Sequence, residues 1–183
     1  MSEAFHRKVR VVLCMTLVVV FSSVSTSNAD IKFGKISDEE WQLGPPADYP
    51  EANAIVIADE GFIDVNTDRI KIERVRRIKV LTEAGIEEVG EQAIVFDPEY
   101  DKIKDFEAHT IMPDGKKLKV KDDAVFERVS GDYKEQVFSF PQVSAGCIVE
   151  FKYTNISKRF RRLSPWYFQG RLYTLTSKIA VRL

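Results

Sequence analysis

The segment CIVEFKY, residues 147–153, decides the fold, because its apolar and polar side chains alternate with the period of two that a β-strand gives. The side chains expected to face the core are those of Cys147, Val149, Phe151 and Tyr153. The segment YTLTSKIAVRL, residues 173–183, alternates in the same way and predicts one more strand. Because each such strand has one apolar side, we expect each sheet to place one face on the core and one in solvent.

Segments further out predict more strands and the turns between them. The run AIVIA, residues 54–58, is short and continuously apolar, which is typical of a strand covered on both faces. Apolar residues of one parity over 70–80 predict a long strand, with a bulge near 74–77 where arginines interrupt the apolar face. Alternation over 105–112, the turn Pro113-Asp114-Gly115 and the apolar positions of 118–120 predict a hairpin. The sequence therefore predicts an all-β fold, an antiparallel β-sandwich.

Residues 1–29 have the layout of a secretory signal peptide. Arg7, Lys8 and Arg10 precede the apolar run 11–21, and small residues lead to a cleavage position after Ala29. The apolar run is shorter than the roughly 20 residues that a membrane-spanning helix needs, so we expect no stable membrane anchor. We predict export, with a periplasmic or extracellular location after cleavage.

Residues 30–49 form an entry arm before the main domain, 50–183. Ser37 and Glu40 have the spacing of a capping box, which predicts a short helix through Trp41. Gly44 and the prolines after it end that helix. The last predicted strand reaches Leu183 with no turn or polar tail, so we expect the natural polypeptide to continue beyond it.

The charge balance and the few metal-binding residue types exclude several classes of function. With 27 Lys+Arg against 28 Asp+Glu, there is no global field to attract a nucleic acid, and we expect no such partner. Cleavage after Ala29 would leave Cys147 and His109 as the only Cys and His, too few for a zinc site. Asp64, Asn66 and Asp68 resemble the opening of a calcium loop, but Arg69 replaces its glycine, so a polar hairpin turn is the better interpretation. We predict no metal and no cofactor.

Cys147 and His109 could in principle form a thiol–imidazole pair, which is the alternative of a thiol enzyme. Such a nucleophile needs a lowered pKa and a base within hydrogen-bond reach. The parity of their strands instead places the Cys147 thiol on the core face and the His109 ring on the solvent face. We therefore predict no catalytic residue in this chain.

One basic cluster is followed by aromatic residues and forms the candidate contact surface. Its members are Arg159, Arg161, Arg162, Trp166 and Tyr167. Such a surface could bind an acidic protein or peptide, and its aromatic residues could line a carbohydrate platform. The plainer interpretation is a solvated loop beside core aromatic residues. A freestanding carbohydrate- or peptide-binding module is thus a second alternative function.

Several segments together resemble a known bacterial family, the domain of unknown function 3857. These are AIVIADEG (54–61), IKVLTEAG (78–85), IMPDG (111–115), FSFPQVSAGCIVEFKY (138–153) and Ser164-Pro165-Trp166. This family forms the N-terminal domain of exported transglutaminase-like proteins. The resemblance implies a β-sandwich followed by a papain-like catalytic core, which is absent from these 183 residues. It implies a non-catalytic accessory domain, whose partner is the downstream core of the same polypeptide and which packs against that core or presents a protein or peptide substrate to it.

Overall fold

The computed structural model describes residues 31–159, 163 and 165–183 of the chain. The predicted signal peptide lies outside these residues. The described elements, in chain order, are α1 (Asp38–Gln42), β1 (Ala54–Val65), β2 (Ile70–Val80), α2 (Ala84–Val89), β3 (Glu91–Phe96), β4 (Asp101–Ile111), β5 (Lys117–Lys119), a 3₁₀ turn (Asp122–Ala124), β6 (Val125–Ser130), β7 (Tyr133–Ser139), β8 (Ile148–Ser157), β9 (Tyr173–Thr174) and β10 (Ser177–Arg182). Among them, no helix combines the length and apolar character needed to cross a bilayer.

Two sheets confirm the predicted all-β, sandwich-like fold. The larger has the order β10-β1-β2-β8-β4-β5, with β9 also beside β1, and the smaller has the order β3-β7-β6. The pairs are antiparallel except for β9 and β10, which both run parallel to β1. The predicted hairpin of β4 and β5 is present, as is the turn that links Asn66 to Arg69.

The predicted bulge lies in a different strand. Strand β2 keeps its register through 74–77, and the irregularity is in β1, between Val56 and Ala58. Arg74 and Arg76 of β2 need no bulge, because the carboxylate of Asp59 in β1 pairs with both. The bulge also explains why the predicted strand 173–183 is two strands: β9 ends and β10 begins opposite this point of β1.

The hydrophobic core lies between the two sheets and is rich in aromatic residues. Phe138 of β7 packs edge-on against Phe151 of β8, with 5.2 Å between ring centroids, and against Phe106 of β4 at 4.7 Å. Ile78 and Val149 of the larger sheet are fully buried beside them. These contacts place the apolar side of β2, β4 and β8 against the smaller sheet, as the alternation predicts.

Part of the second face of the larger sheet is covered by the N-terminal arm, here residues 31–43. The capping box is confirmed, since Glu40 N–H donates to Ser37 Oγ and Ser37 N–H donates to Glu40 Oε2. The run 54–58 is buried on both faces, as predicted. The expectation that the larger sheet keeps this face in solvent is wrong for part of the face, because Ile55 and Ile148 on it are fully buried. It holds further along β2, where Lys71 and Glu73 are 41% and 47% exposed.

Candidate functional site

Cys147 is a core residue, as predicted. It lies just before β8, its side chain is fully buried, and it belongs to the cluster between the sheets. Its carbonyl accepts from Val80 N–H at 3.0 Å, which ties the start of β8 to the end of β2. Burial raises the pKa of the thiol, so the thiolate form is disfavoured.

His109 lies on the opposite face of the larger sheet from Cys147. In β4 it pairs across the sheet with Glu150 of β8, and its Nδ1 is 3.8 Å from Glu150 Oε1. Its ring is 5.0 Å from that of Phe33 in the arm. The prediction that the ring faces solvent is wrong, because the arm covers this face. The structure nevertheless agrees that the thiol and the imidazole belong to different faces, and it does not bring them together.

A buried ionic cluster holds the arm on the sheet. The Arg77 guanidinium donates to Glu150 Oε2 at 2.8 Å and to Glu40 Oε1 at 2.6 Å. A further N–H of Arg77 donates to the carbonyl of Lys32, and the Gly34 N–H donates to Glu150 Oε1 at 2.5 Å. We call Arg77, Glu150 and Glu40 the arm latch. The arm latch is not predicted by the sequence, because alternating charged residues in a strand are the usual pattern of a solvent face.

Arg159 is the one arginine of the predicted basic cluster that the structure describes. Its guanidinium pairs with Asp97 at 2.8 Å and lies 4.1 Å from the Tyr100 ring centroid. A small cleft of about 110 Å³ adjoins it, with Leu163 and Pro165 on its walls. Arg161 and Arg162 lie outside the described residues, so their part in the candidate surface stays a prediction.

Trp166 packs on β1 and β2 and is half-buried. Its ring edge lies over Gly61, its Nε1–H donates to Ser177 Oγ at 3.1 Å, and the Arg74 guanidinium sits 4.6 Å from its ring centroid. Arg74 in turn donates two hydrogen bonds to Asp59. Burial lowers the pKa of Arg74, but the hydrogen bonds and negative charge of Asp59 together with those of Tyr153 outweigh it, and the net pKa is raised. Trp166 is therefore anchored by β1, β2 and β10.

Tyr167 points into solvent, with 74% of its surface exposed, and Phe168 beside it is 52% exposed. The segment 163–183 carries further exposed apolar side chains. We call the set Leu163, Tyr167, Phe168, Leu175 and Val181 the C-terminal apolar surface. Large exposed apolar groups that adjoin one another are typical of a surface that contacts another protein or domain, and Tyr167 and Phe168 are neighbours in the sequence.

The described residues contain no group of three or more His, Cys, Asp or Glu side chains placed to hold a metal ion. The segment 163–183 offers exposed apolar side chains for contact. The half-buried Trp166 lies in this segment, and Arg159, which pairs with Asp97, lies just before it.

Comparison with known proteins identifies a family. The model of DUF3857, a domain of unknown function with a solved structure, matches residues 67–181, more than half of the chain. No curated protein matches the sequence.

Two solved structures were compared with the fold. A crystal structure of a protein from Parabacteroides distasonis ATCC 8503, described as a "putative protease", has a TM-score of 0.58 and 18% identity. The match covers 70% of this chain and 28% of that one, so it shows a shared fold for part of a longer protein. Legionella pneumophila aminopeptidase A in complex with aspartic acid has a TM-score of 0.32 at 12% identity, over 60% of this chain and 11% of that one. The second likeness is too low to carry an argument.

Proposed function

The chain belongs to the DUF3857 family, and from that membership we propose that it is a non-catalytic accessory domain of an exported transglutaminase-like protein. In this proposal a catalytic core of the papain-like class follows on the same polypeptide. The domain packs against that core or presents a protein or peptide substrate to it. The signal-peptide pattern of residues 1–29 supports the export step.

The C-terminal apolar surface is the observation that carries this proposal. Tyr167 and Phe168 expose most of their rings, although aromatic side chains of this size usually bury their surface. They stand on the segment that leads into β9 and β10, the last two strands in chain order. Burying such rings against a core would stabilise the contact by about 25 cal/mol per Å² of apolar area removed from water.

Hydrogen exchange on the whole product of the natural gene tests the proposal. We expect the reading frame beyond Leu183 to encode a core with Cys, His and Asp. Amides of residues 163–183 should then exchange more slowly in the whole product than in the 183-residue chain. The double substitution Tyr167→Asp and Phe168→Asp should remove that added protection.

Phe126→Asp is the matched control, because Phe126 is 50% exposed on β6, the edge strand of the smaller sheet. It should leave the protection of 163–183 unchanged. A reading frame without such a core, or equal exchange of 163–183 in both proteins, would contradict the accessory role.

A further inference from the structure

A cleft of about 580 Å³ opens between the arm and the end of β2. Its volume is in the range that small-molecule and peptide sites usually have. Four separate parts of the chain form it, and their residues include Leu43, Pro45, Pro50, Glu51, Lys79 and Gly146. None of these residues belongs to the arm latch or to the C-terminal apolar surface.

Lys79 is a buried cation beside this cleft without a carboxylate partner. Only 7% of the residue is exposed, and its Nζ donates to the carbonyl oxygen of Trp41 at 2.5 Å. Within the part of the chain that the structure describes, no carboxylate oxygen lies within salt-bridge distance of this ammonium group. Burial lowers its pKa, and no neighbouring negative charge opposes that effect.

Arg77, the neighbouring cation on the same face of β2, differs from Lys79 in having carboxylate partners. Arg77 is buried to a similar degree, yet it has two carboxylates, those of Glu150 and Glu40. Buried charges in proteins are normally paired in this way. An ammonium group has three N–H donors, and the Trp41 carbonyl takes one of those of Lys79. Lys79 therefore keeps hydrogen-bonding capacity and positive charge available at the cleft.

We propose that the cleft binds a carboxylate-bearing peptide, with the carboxylate on the Lys79 ammonium group. A single lysine matches the single charge of a carboxylate. The walls suit the rest of a peptide, since Leu43, Pro45 and Pro50 give apolar surface next to that charge. The carboxylate could come from a peptide C-terminus or from an acidic side chain. This site is independent of the proposed contact with a catalytic core.

An NMR titration of the 183-residue chain with three blocked tripeptides tests the proposal. The probes are acetyl-Ala-Ala-Ala with a free C-terminal carboxylate, the same peptide as its amide, and acetyl-Ala-Glu-Ala amide. We expect at least one carboxylate peptide to bind and to shift the amide signals of residues 79–82, and the neutral amide not to bind. Binding of the first peptide alone assigns the site to chain ends, and binding of the third assigns it to acidic side chains as well.

Two substitutions with opposite expected effects make the test specific. Lys79→Met keeps the length of the side chain and removes its charge, and it should weaken binding by about tenfold or more, the value of one hydrogen bond to a charged group. Glu51→Lys at the rim should strengthen binding severalfold, and it tests the site even if Lys79→Met folds poorly. Lys152→Met is the control, because that lysine pairs with Glu107 in a different place.

Three results would overturn the proposal. They are no binding by either carboxylate peptide at millimolar concentration, equal binding of the neutral amide, and unchanged binding in both Lys79→Met and Glu51→Lys.

Discussion

The Arg77 guanidinium and the Glu150 carboxylate form an ion pair of 2.8 Å inside the molecule, where the side chains are 2% and 0% exposed. The pair sits on the face of the larger sheet that alternation assigns to solvent. The arm makes this possible, because Glu40 and the backbone of Lys32 and Gly34 supply the remaining hydrogen bonds of the two charges. Arg77 and Glu150 thus attach the arm to the larger sheet of the folded domain.

Glu150→Gln should destabilise the protein by about 3–5 kcal/mol, the cost of breaking a buried ion pair and leaving one charge under-compensated. Denaturation in urea measures the change. The Gly34 amide should also exchange faster with solvent, because it donates to Glu150 Oε1 in the folded chain. Glu135→Gln is the control, since its partner Arg128 is mostly exposed, and its cost should be about 0–1 kcal/mol. Equal costs for the two substitutions would contradict a structural role for the arm latch.

Local patterns predicted the strands well, because alternation and turn residues act over a few neighbouring positions. The strand of 147–153, the hairpin at Pro113 and the capping box at Ser37 are of this kind. What covers each face is decided by distant segments. Glu150 and His109 therefore have the pattern of solvent-facing residues, although the arm covers both.

Helix α2 was not predicted, and its sequence explains why. It is only six residues long and has no side-chain hydrogen bond at its N-cap. Its position depends on a tertiary contact, since a Cβ at Gly85 would come within 2.2 Å of the Asn53 carbonyl oxygen. The Lys79 cleft was missed for a similar reason, because no single segment of the sequence contains it.

Cys147 should react slowly with iodoacetamide in the folded protein. The thiol is fully buried and its pKa is raised by that burial, so at pH 8 the thiolate is both scarce and inaccessible. Mass spectrometry should show labelling at least about a hundredfold slower than in urea, because labelling requires opening of the core. Cys147→Ser combined with Ser130→Cys is the control, since Ser130 is exposed and the new thiol should react quickly. Fast labelling of Cys147 in the native protein would support the thiol-enzyme alternative instead.

Gly61→Ala should destabilise the protein by about 1–3 kcal/mol, the usual cost of overpacking. The added Cβ would come within 2.6 Å of the Trp166 ring, which Ser177 and Arg74 hold in place. Thermal or urea unfolding measures the effect. In a Trp166→Ala background the same substitution should be neutral or stabilising, because alanine suits a strand better than glycine does. A similar loss in both backgrounds would show that the Trp166 contact is not the cause.

The stability of the native chain relative to Lys79→Met should rise as the pH increases towards the ordinary lysine pKa of about 10.4. The pKa of Lys79 is lowered in the folded state by burial, so between that pKa and the ordinary lysine pKa the unfolded chain binds more protons than the folded chain. By linkage, the free energy of unfolding of the native chain then increases with pH, and a chain with methionine at this position lacks that contribution. Urea unfolding of both proteins at a series of pH values measures the difference. The other lysines contribute equally to the free energy of unfolding of both proteins, so their contributions cancel. Lys152→Met, whose lysine is paired with Glu107, should not show this rise. If the difference in free energy of unfolding between the native chain and Lys79→Met did not change with pH, the ammonium group of Lys79 would not be desolvated. A ligand in the cleft would then meet an ordinary solvated lysine.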